Sequence, residues 1–180
     1  MKIVMLEGNL LKNGIFTILA EHFQKGAEKA EHPVDRSDFA LKKVHSGIGC
    51  DKRNCGVNPC IFQDDMKELY RPNVGMYVSP LYYHDVSVQL KTVIDRYHGI
   101  DNLLRGTDKK VLSMITGAYS EELVFDGIKA TLKTTIRCLG RKDCGGIYTY
   151  NCQQVDDIPK TDYPRQAFEL GLKLSEVVAL

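Results

Sequence analysis

The sequence predicts an α/β fold built on a doubly wound, five-stranded parallel sheet with helices on both faces. The apolar run Val74–Val78 stops at Ser79-Pro80, which is typical of a strand buried on both faces. The residues after it predict an amphipathic helix lying on a sheet, because apolar side chains recur there at three- and four-residue steps: Val86, Leu90, Val93, Ile94 and Tyr97. Further short apolar runs alternate with segments of the same helical period along the rest of the chain.

Length, composition and charge restrict the class of protein. A chain of 180 residues with 43% hydrophobic and 26% charged residues fits one folded domain covering residues 1–180. The formal net charge of +1 lacks the basic excess typical of nucleic-acid binders, so nucleic acid is not an expected partner. No segment has the length of a membrane span, and the first residues are too short an apolar run for a signal peptide. We therefore expect no membrane association and a cytoplasmic location.

The first third of the chain predicts a strand, a loop, a helix and a second strand. Lys2–Glu7 is an apolar run, and Val34–Ala40 is a short, charge-interrupted one that suits an edge strand. The loop Gly8–Gly14 lies between the first predicted strand and the predicted helix that follows it. At such a position, backbone N–H groups and the helix dipole favour an anion. Taken alone, the same loop is equally compatible with a tight turn that binds nothing. The helical stripe consists of Leu19, Phe23, Ala27 and Ala30.

A long connection, Leu41–Gln63, contains three of the six cysteines, Cys50, Cys55 and Cys60. Connections of this length inside a compact domain usually carry function or a subunit contact. Because no export signal is present, we expect reduced thiols rather than disulfides. Three thiolates are one short of the usual set for zinc or a cubane cluster, so we predict no metal, although His45 is a possible fourth zinc ligand.

The second half of the chain continues the same alternation. A short helix is predicted through Met66–Tyr70, and the polar segment His98–Lys109 is predicted to be a loop. Val111–Thr116 and Gly146–Tyr150 are the fourth and fifth predicted strands. The helix between them should end at Gly140, and Asp162 or Thr161 should cap the last helix.

The segment around Pro80 resembles one family specifically. Flavodoxin-like, NAD(P)H-dependent FMN oxidoreductases, including their iron–sulfur flavoprotein branch, follow the third strand with T/S-P-V/I-Y and then S-x-x-L-K-x-x-I-D-R. The corresponding residues here are Ser79, Pro80, Leu81, Tyr82, Ser87, Leu90, Lys91, Ile94, Asp95 and Arg96. Phe125-Asp126-Gly127 and Asp143-Cys144-Gly145 also match the family pattern, so the resemblance covers essentially the whole chain.

This resemblance implies the strand order 2-1-3-4-5 and an FMN site where the loops after the first, third and fourth strands converge. It implies FMN as cofactor, NAD(P)H as electron donor, a quinone, flavin or other small molecule as acceptor, and a homodimer or homotetramer. The flavin carries the redox chemistry, so no catalytic protein residue is expected. The residues implied to bind the cofactor are Asn9, Leu11, Lys12, Asn13, Ile15, Phe16, Thr17, Pro80, Leu81, Tyr82, Tyr83, His84, Asp85, Thr116, Gly117 and Ala118.

Two departures from the family pattern keep other functions open. The phosphate loop has Asn9, Leu10, Leu11, Ile15 and Phe16 where Ser, Pro, Arg, Asn and Thr are usual, so two hydroxyls are missing. In the cysteine motif of the iron–sulfur branch, two expected cysteines fall on Gly47 and Arg53. The alternatives are a flavodoxin-like scaffold with weakened or lost FMN binding and an iron–sulfur flavoprotein-type electron carrier.

Overall fold

The computed structural model describes residues 1–8, 13–47, 73–105 and 108–179. Its core is a parallel sheet with the strand order β2-β1-β3-β4-β5. This result confirms the predicted fold class, and the order reverses between β1 and β3. The strands are β1 Ile3–Glu7, β2 Val34–Asp38, β3 Val74–Pro80, β4 Lys110–Thr116 and β5 Lys142–Thr149.

Helices cover both faces of the sheet because successive strand residues point to opposite sides. Ile3 and Met5 pack with the helices α1 and α5, whereas Val4 and Leu6 pack with α2 and α4. Phe23 of α1 is fully buried, and burial of a side chain of this size contributes about 2 kcal/mol. The helices are α1 Ile15–Lys29, α2 Val88–Arg96, α3 Asp101–Leu104, α4 Asp126–Cys138, α5 Tyr163–Leu172 and α6 Leu174–Ala179, with 3₁₀ turns at Tyr97–Ile100, Glu122–Phe125 and Val155–Lys160.

Two glycines set the close approach of α1 and α5. A Cβ atom on Gly26 would lie 2.0 Å from the carbonyl oxygen of Phe168, and one on Gly171 would lie 2.2 Å from that of Phe23. Any side chain at either position would therefore push the two helices apart. This close contact fixes the position of α1 on the sheet, and therefore the position of its amino end.

The prediction of a loop at His98–Lys109 was wrong over its first half. The chain forms a 3₁₀ turn and then α3, because Ile100 and Leu104, together with Tyr97, are buried at three- and four-residue steps. Polar residues separate these three apolar residues, so their helical spacing is not evident from the sequence.

Strand β5 begins at Lys142, four residues before the predicted start. The first half of this edge strand is polar and carries a β-bulge between Val111 and Ser113 of β4. Gly145 adopts a φ of 77° at the bulge, a conformation that favours glycine. Gly140 has a φ of 66° just past α4, as expected for the residue that ends this helix.

Part of the long connection, with Cys50, Cys55 and Cys60, lies outside the described residues, and so does the predicted helix Met66–Tyr70 that follows it. Within the described ranges, no helix combines the length and apolar character needed to cross a membrane. Over the same ranges, no group of three or more His, Cys, Asp or Glu side chains is placed to hold a metal ion.

Candidate functional site

A cavity of about 260 Å³ opens at the edge of the sheet where the parallel strands end. Ligands of doubly wound folds bind at this edge, beside the point where the strand order reverses. Four chain segments meet around the cavity: the start of α1 and the loops after β3, β4 and β5. Its lining residues are Gly14, Ile15, Phe16, Pro80, Leu81, Tyr82, Thr116, Gly117, Ala118, Cys152, Gln153, Gln154 and Val155.

The amino end of α1 faces this cavity without a side-chain cap. Gly14 is the N-cap residue and has no side chain to accept a hydrogen bond, and the first turn contains no acidic residue. The first N–H groups of a helix have no intrahelical acceptor, and the helix dipole adds partial positive charge there. A Cβ atom on Gly14 would lie 2.3 Å from the ring of Phe16, so a side chain at this position would require that ring to move. The helix dipole and the N–H groups at this end of the cavity are of the kind that favours an anion.

Hydrogen bonds hold the loop after β3 in one position. The Ser79 hydroxyl donates to the Pro80 carbonyl oxygen at 2.8 Å and accepts the Ser87 N–H at 2.8 Å. Ser87 in turn caps α2 by accepting the Leu90 N–H at 3.4 Å. The loop is thus joined to the helix that follows it.

The same loop continues into a tight turn at Tyr82–Asp85. Each of these two residues donates its N–H to the carbonyl oxygen of the other, at 2.9 and 3.0 Å. Tyr83 and His84 between them have φ values of 48° and 66°, as a type I′ turn requires. The turn places Tyr82 on the cavity wall and leaves Tyr83 95% exposed outside it.

The loop after β4 brings backbone close to the cavity. Leu81 donates its N–H to the Thr116 carbonyl oxygen at 2.7 Å, and Gly117 donates its N–H to the Thr149 carbonyl oxygen at 2.8 Å. A Cβ atom on Gly117 would lie 3.0 Å from the Phe125 ring and 3.5 Å from Leu81. The lack of a side chain at Gly117 therefore lets Phe125 and Leu81 pack close to this loop.

The loop after β5 also lines the cavity, and sequence reasoning missed it. The Asp157 carboxylate accepts the N–H groups of Gln153 at 3.0 Å and Gln154 at 2.8 Å. These bonds, with the Gln154 hydrogen bond first among the causes, lower the pKa of Asp157 below its ordinary value. One signal was available, because β5 ends at the same sheet edge as β1, β3 and β4.

Cys152 contributes a buried thiol to the wall of the cavity. Its sulfur lies 3.3 Å from the Tyr150 carbonyl oxygen, and the residue is 2% exposed. Burial, assisted by the Asp157 charge, raises the pKa of this thiol above its ordinary value. The group is therefore a neutral, weakly polar part of the cavity wall at neutral pH.

Eight of the predicted cofactor residues line the cavity, and others lie near it. Tyr83 and His84 occupy the outer side of the tight turn and are not on the wall, and neither are Asn13, Thr17 and Asp85. The predicted residues Asn9, Leu11 and Lys12 lie outside the described part of the chain. The eight that line the wall are Ile15, Phe16, Pro80, Leu81, Tyr82, Thr116, Gly117 and Ala118.

A second groove, of about 590 Å³, runs beside the edge strand β5. Two of its charged groups compensate each other, since Lys129 pairs with Glu122 at 2.9 Å, and Lys129 also lies 5.0 Å from the ring centre of Tyr148. The smaller cavity instead brings together the amino end of α1, whose N-cap residue is Gly14, and the loop after β4, which contains Gly117. We therefore assign the smaller cavity as the candidate functional site.

The amino-terminal two thirds of the chain matches the sequence profile of NADPH-dependent FMN reductases, over residues 1–124. An iron–sulfur flavoprotein of Archaeoglobus fulgidus is 32% identical over 101 residues, which cover 53% of this chain and 45% of that protein. The match thus spans about half the length of this curated relative. The profile match includes the start of α1 and the loops after β3 and β4, which supply most of the cavity wall.

Solved structures with the same fold cover nearly the whole chain. An NAD(P)H:quinone oxidoreductase from Methanothermobacter marburgensis has a TM-score of 0.77 and 18% identity, over 97% of each chain. An FMN-dependent NADH-azoreductase from Bacillus anthracis, solved in complex with FMN, has a TM-score of 0.71 and 13% identity, over 97% of this chain and 100% of that one. Identities this low establish the fold alone. By its sequence match, the chain belongs to the NADPH-dependent FMN reductase family of flavin oxidoreductases, near the iron–sulfur flavoprotein branch.

Proposed function

We propose that this protein binds FMN in the cavity and transfers reducing equivalents from NAD(P)H to a small acceptor such as a quinone or a second flavin. One observation carries the proposal. The amino end of α1, where Gly14 has no side chain to cap the helix, and the backbone at Gly117 line the same cavity. A helix amino end favours a phosphate, and the backbone wall beside it suits a flat ring. Together they fit a ligand that has a phosphate at one end and a flat ring at the other.

The phosphate end of the proposed site is the first turn of α1. The N–H groups at Ile15 and Phe16 point out of the helix end, and Thr17 lies one position further along. We place the phosphate against these groups, with Asn9, Leu11, Lys12 and Asn13 of the preceding loop completing the site. The helix end supplies N–H donors and partial positive charge, and these replace the two hydroxyls that the family loop normally offers.

The ring end of the proposed site lies between the loops after β3, β4 and β5. Leu81 and Tyr82 offer apolar surface to the ring. The small residues Gly117 and Ala118 leave the backbone accessible to it, and Gln154 also lines the cavity. Bound FMN would accept a hydride from NAD(P)H and pass electrons to the acceptor. The side chains on this wall orient the flavin and exclude water from one of its faces. No protein nucleophile takes part in this proposal.

Flavin titration tests the proposed function directly. We expect the purified protein to quench FMN fluorescence with a micromolar or lower Kd and, once loaded, to oxidise NADH or NADPH when a quinone is present. A protein that does not bind FMN at this concentration would overturn the proposal and favour the scaffold alternative. FMN binding without NAD(P)H oxidation would retain the site and overturn the reaction.

Substitution of Ile15 tests where the phosphate binds. Ile15→Glu places a carboxylate in the first turn of α1, and we expect it to weaken FMN binding about tenfold or more while riboflavin binding changes little. Ile15→Gln is the uncharged control of the same shape, and its FMN affinity should stay within about threefold of the wild type. Equal losses for FMN and riboflavin would place the phosphate elsewhere.

An electron carrier of the iron–sulfur flavoprotein type is the second candidate, and the likeness to the Archaeoglobus protein favours it. Cys50, Cys55 and Cys60 provide three thiols where a cubane cluster normally takes four ligands. The main proposal therefore uses no metal. Iron analysis of protein purified without oxygen separates the two candidates, since about four iron atoms per chain would establish the carrier.

We include a homodimer or homotetramer in the proposal. Large apolar side chains are exposed near the mouth of the cavity, with Leu123 at 71%, Tyr82 at 49% and Tyr119 at 42%. Exposed apolar groups of this size in one region are typical of a subunit contact. Light scattering during gel filtration should give a mass of two or four chains, and a mass of one chain would overturn this part of the proposal.

A further inference from the structure

Three polar side chains lie close together on the α2 and α4 face of the sheet, away from the cavity. Tyr77 of β3 is 1% exposed, and Tyr97, which follows α2, is 4% exposed. Both belong to the hydrophobic cluster on this face. Arg141 precedes β5, and its N–H donates to the carbonyl oxygen of Ile136 in α4 at 3.1 Å. Since β5 begins after Arg141, this residue lies at the sheet edge opposite the cavity.

The polar atoms of these side chains are buried donors without acceptors. In the part of the chain that the structure describes, the hydroxyls of Tyr77 and Tyr97 have no hydrogen-bond partner, and neither do Nε and Nη2 of Arg141. All four atoms are shielded from solvent. Buried donors in folded proteins nearly always have a partner, because leaving one without a partner is costly. A group bound at this place would supply the missing acceptor.

Electrostatic effects show that the three side chains act on one another. Burial raises the pKa of both tyrosines above the ordinary value, and the Arg141 charge opposes the rise at each. The two hydroxyls also influence each other's pKa, although they do not meet the geometry of a hydrogen bond. Even a direct bond between them would use only one of their two O–H donors. The cluster therefore has more donors than acceptors.

A second cation lies beside Arg141. Lys142 donates its N–H to the Lys109 carbonyl oxygen at 3.0 Å, which places Lys109 next to the start of β5. Burial, followed by the Arg141 charge, lowers the pKa of Lys109. Two positive charges thus repel each other at this corner of the sheet. A negative ion beside Arg141 would reduce that repulsion.

We propose that Tyr77, Tyr97 and Arg141 form a binding site for a small monovalent anion such as chloride. Phenol O–H and guanidinium N–H groups are donors that such an ion accepts. The donors lie among packed apolar side chains, so a compact ion suits the site better than a tetrahedral phosphate. One charge also costs less to desolvate than two. Arg141 is partly exposed and gives the ion a route from solvent.

Stability measured at constant ionic strength tests the site. Sodium chloride is substituted stepwise for sodium gluconate, whose anion is too large for the site, so general screening stays the same. The urea midpoint of unfolding should rise with chloride and then saturate, as it does for a ligand that binds only the folded state. A midpoint that does not respond to chloride would overturn the proposal. The measurement needs no flavin, so it remains valid whether or not the proposed function is correct.

Variants separate binding at this site from a general salt effect. Arg141→Met removes the cation and should abolish the chloride dependence, whereas Tyr97→Phe removes one donor and should weaken the apparent chloride affinity about fivefold or more. Lys142→Gln removes an exposed neighbouring charge and should keep the wild-type response. Equal responses in the wild type and Arg141→Met would overturn the proposal, as would loss of the response in Lys142→Gln. If Arg141→Met does not fold, an unchanged chloride affinity in Tyr97→Phe has the same meaning.

Bromide locates the ion directly, because it resembles chloride and scatters X-rays anomalously. Crystals of the protein grown in sodium bromide should show an anomalous peak in contact with the Tyr97 hydroxyl and the Arg141 guanidinium. The absence of a peak there would show that the donors bind water instead, and would overturn the proposal. A peak without chloride-dependent stability would indicate an adventitious ion only, and would overturn it as well.

Discussion

His84 stacks on Tyr119, with the ring centres 5.6 Å apart and the ring planes inclined by 23°. His84 belongs to the tight turn after β3, and Tyr119 follows β4, so the contact joins two of the loops that form the cavity. The His84 ring also lies 3.3 Å, through Nδ1, from the Val124 carbonyl oxygen. Two independent contacts therefore hold the outer side of the turn to the neighbouring loop.

We expect a measurable coupling between these two rings. In a double-mutant cycle of His84→Ala and Tyr119→Ala, the coupling free energy of unfolding should be about 0.5–1 kcal/mol, as for other aromatic pairs. Urea unfolding of the four proteins provides the measurement. Tyr150→Ala combined with His84→Ala is the control pair, since the Tyr150 ring makes its edge-to-face contact with Tyr163 instead. A coupling of zero at His84 and Tyr119 would show that the stack does not persist in solution.

Replacement of Tyr83 should stabilise the fold. Tyr83 is 95% exposed and has a φ of 48°, which is unfavourable for an aromatic residue and acceptable for asparagine. Tyr83→Asn should raise the free energy of unfolding by about 0.5–1 kcal/mol. Val88→Asn, at another exposed apolar position inside α2, is the control and should give no gain. A lower stability for Tyr83→Asn would mean that the Tyr83 ring makes stabilising contacts.

Filling the space at Gly117 should block the ligand. A Cβ atom there already approaches Phe125 at 3.0 Å, so the branched side chain of Gly117→Val would force Phe125, Leu81 or the loop itself to shift and would distort the cavity wall. We expect FMN affinity to fall about tenfold or more. Gly127→Ala is the matched control, because its Cβ atom would meet only the His84 carbonyl oxygen at 3.9 Å. Similar FMN affinities for both variants would exclude the backbone at Gly117 from the flavin site.

Asp157 should control the order of the loop after β5. Asp157→Asn weakens the hydrogen bonds to the N–H groups of Gln153 and Gln154, and should lower FMN affinity about two- to fivefold. Because the folded-state pKa of Asp157 lies below the ordinary value of 3.8, the carboxylate contributes above that pH, and its contribution is lost as the pH falls through the lower value. The affinity gap between wild type and variant should thus persist from pH 8 to pH 5. Closure of the gap by pH 5 would contradict this account.

Tyr77 and Tyr97 should make the protein sensitive to alkali. Burial raises the pKa of Tyr97 well above 10, and it also raises that of Tyr77. A raised folded-state pKa means that stability is complete below pH 10 and falls as the pH rises above it, by about 1.4 kcal/mol per pH unit for each group. Tyr97→Phe should therefore lose less stability than the wild type between pH 9 and pH 11, as measured by urea unfolding. Tyr83→Phe, at an exposed position, is the control and should follow the wild type.

The sequence alone determined the features that depend on local order along the chain. The period of the apolar residues identified the strands and the longer helices, because a buried face imposes that period. The residues from Ser79 to Arg96 indicated the loop after β3, the helix that follows it and the family. Parallel strands all end at one edge, so the meeting of the start of α1 with the loops after β3 and β4 followed from the predicted order.

The tertiary structure decided the contacts between residues that are distant in sequence. The ion pair between Glu7 and Arg36 depends on the register of β1 against β2, and the Gly26–Gly171 approach depends on how α1 crosses α5. The place of Cys152–Val155 in the cavity wall depends on where β5 ends relative to β4. The spacing of apolar residues along the chain shows which residues are buried, but not which distant residues they contact. These contacts therefore became visible only when the strands and helices were placed together.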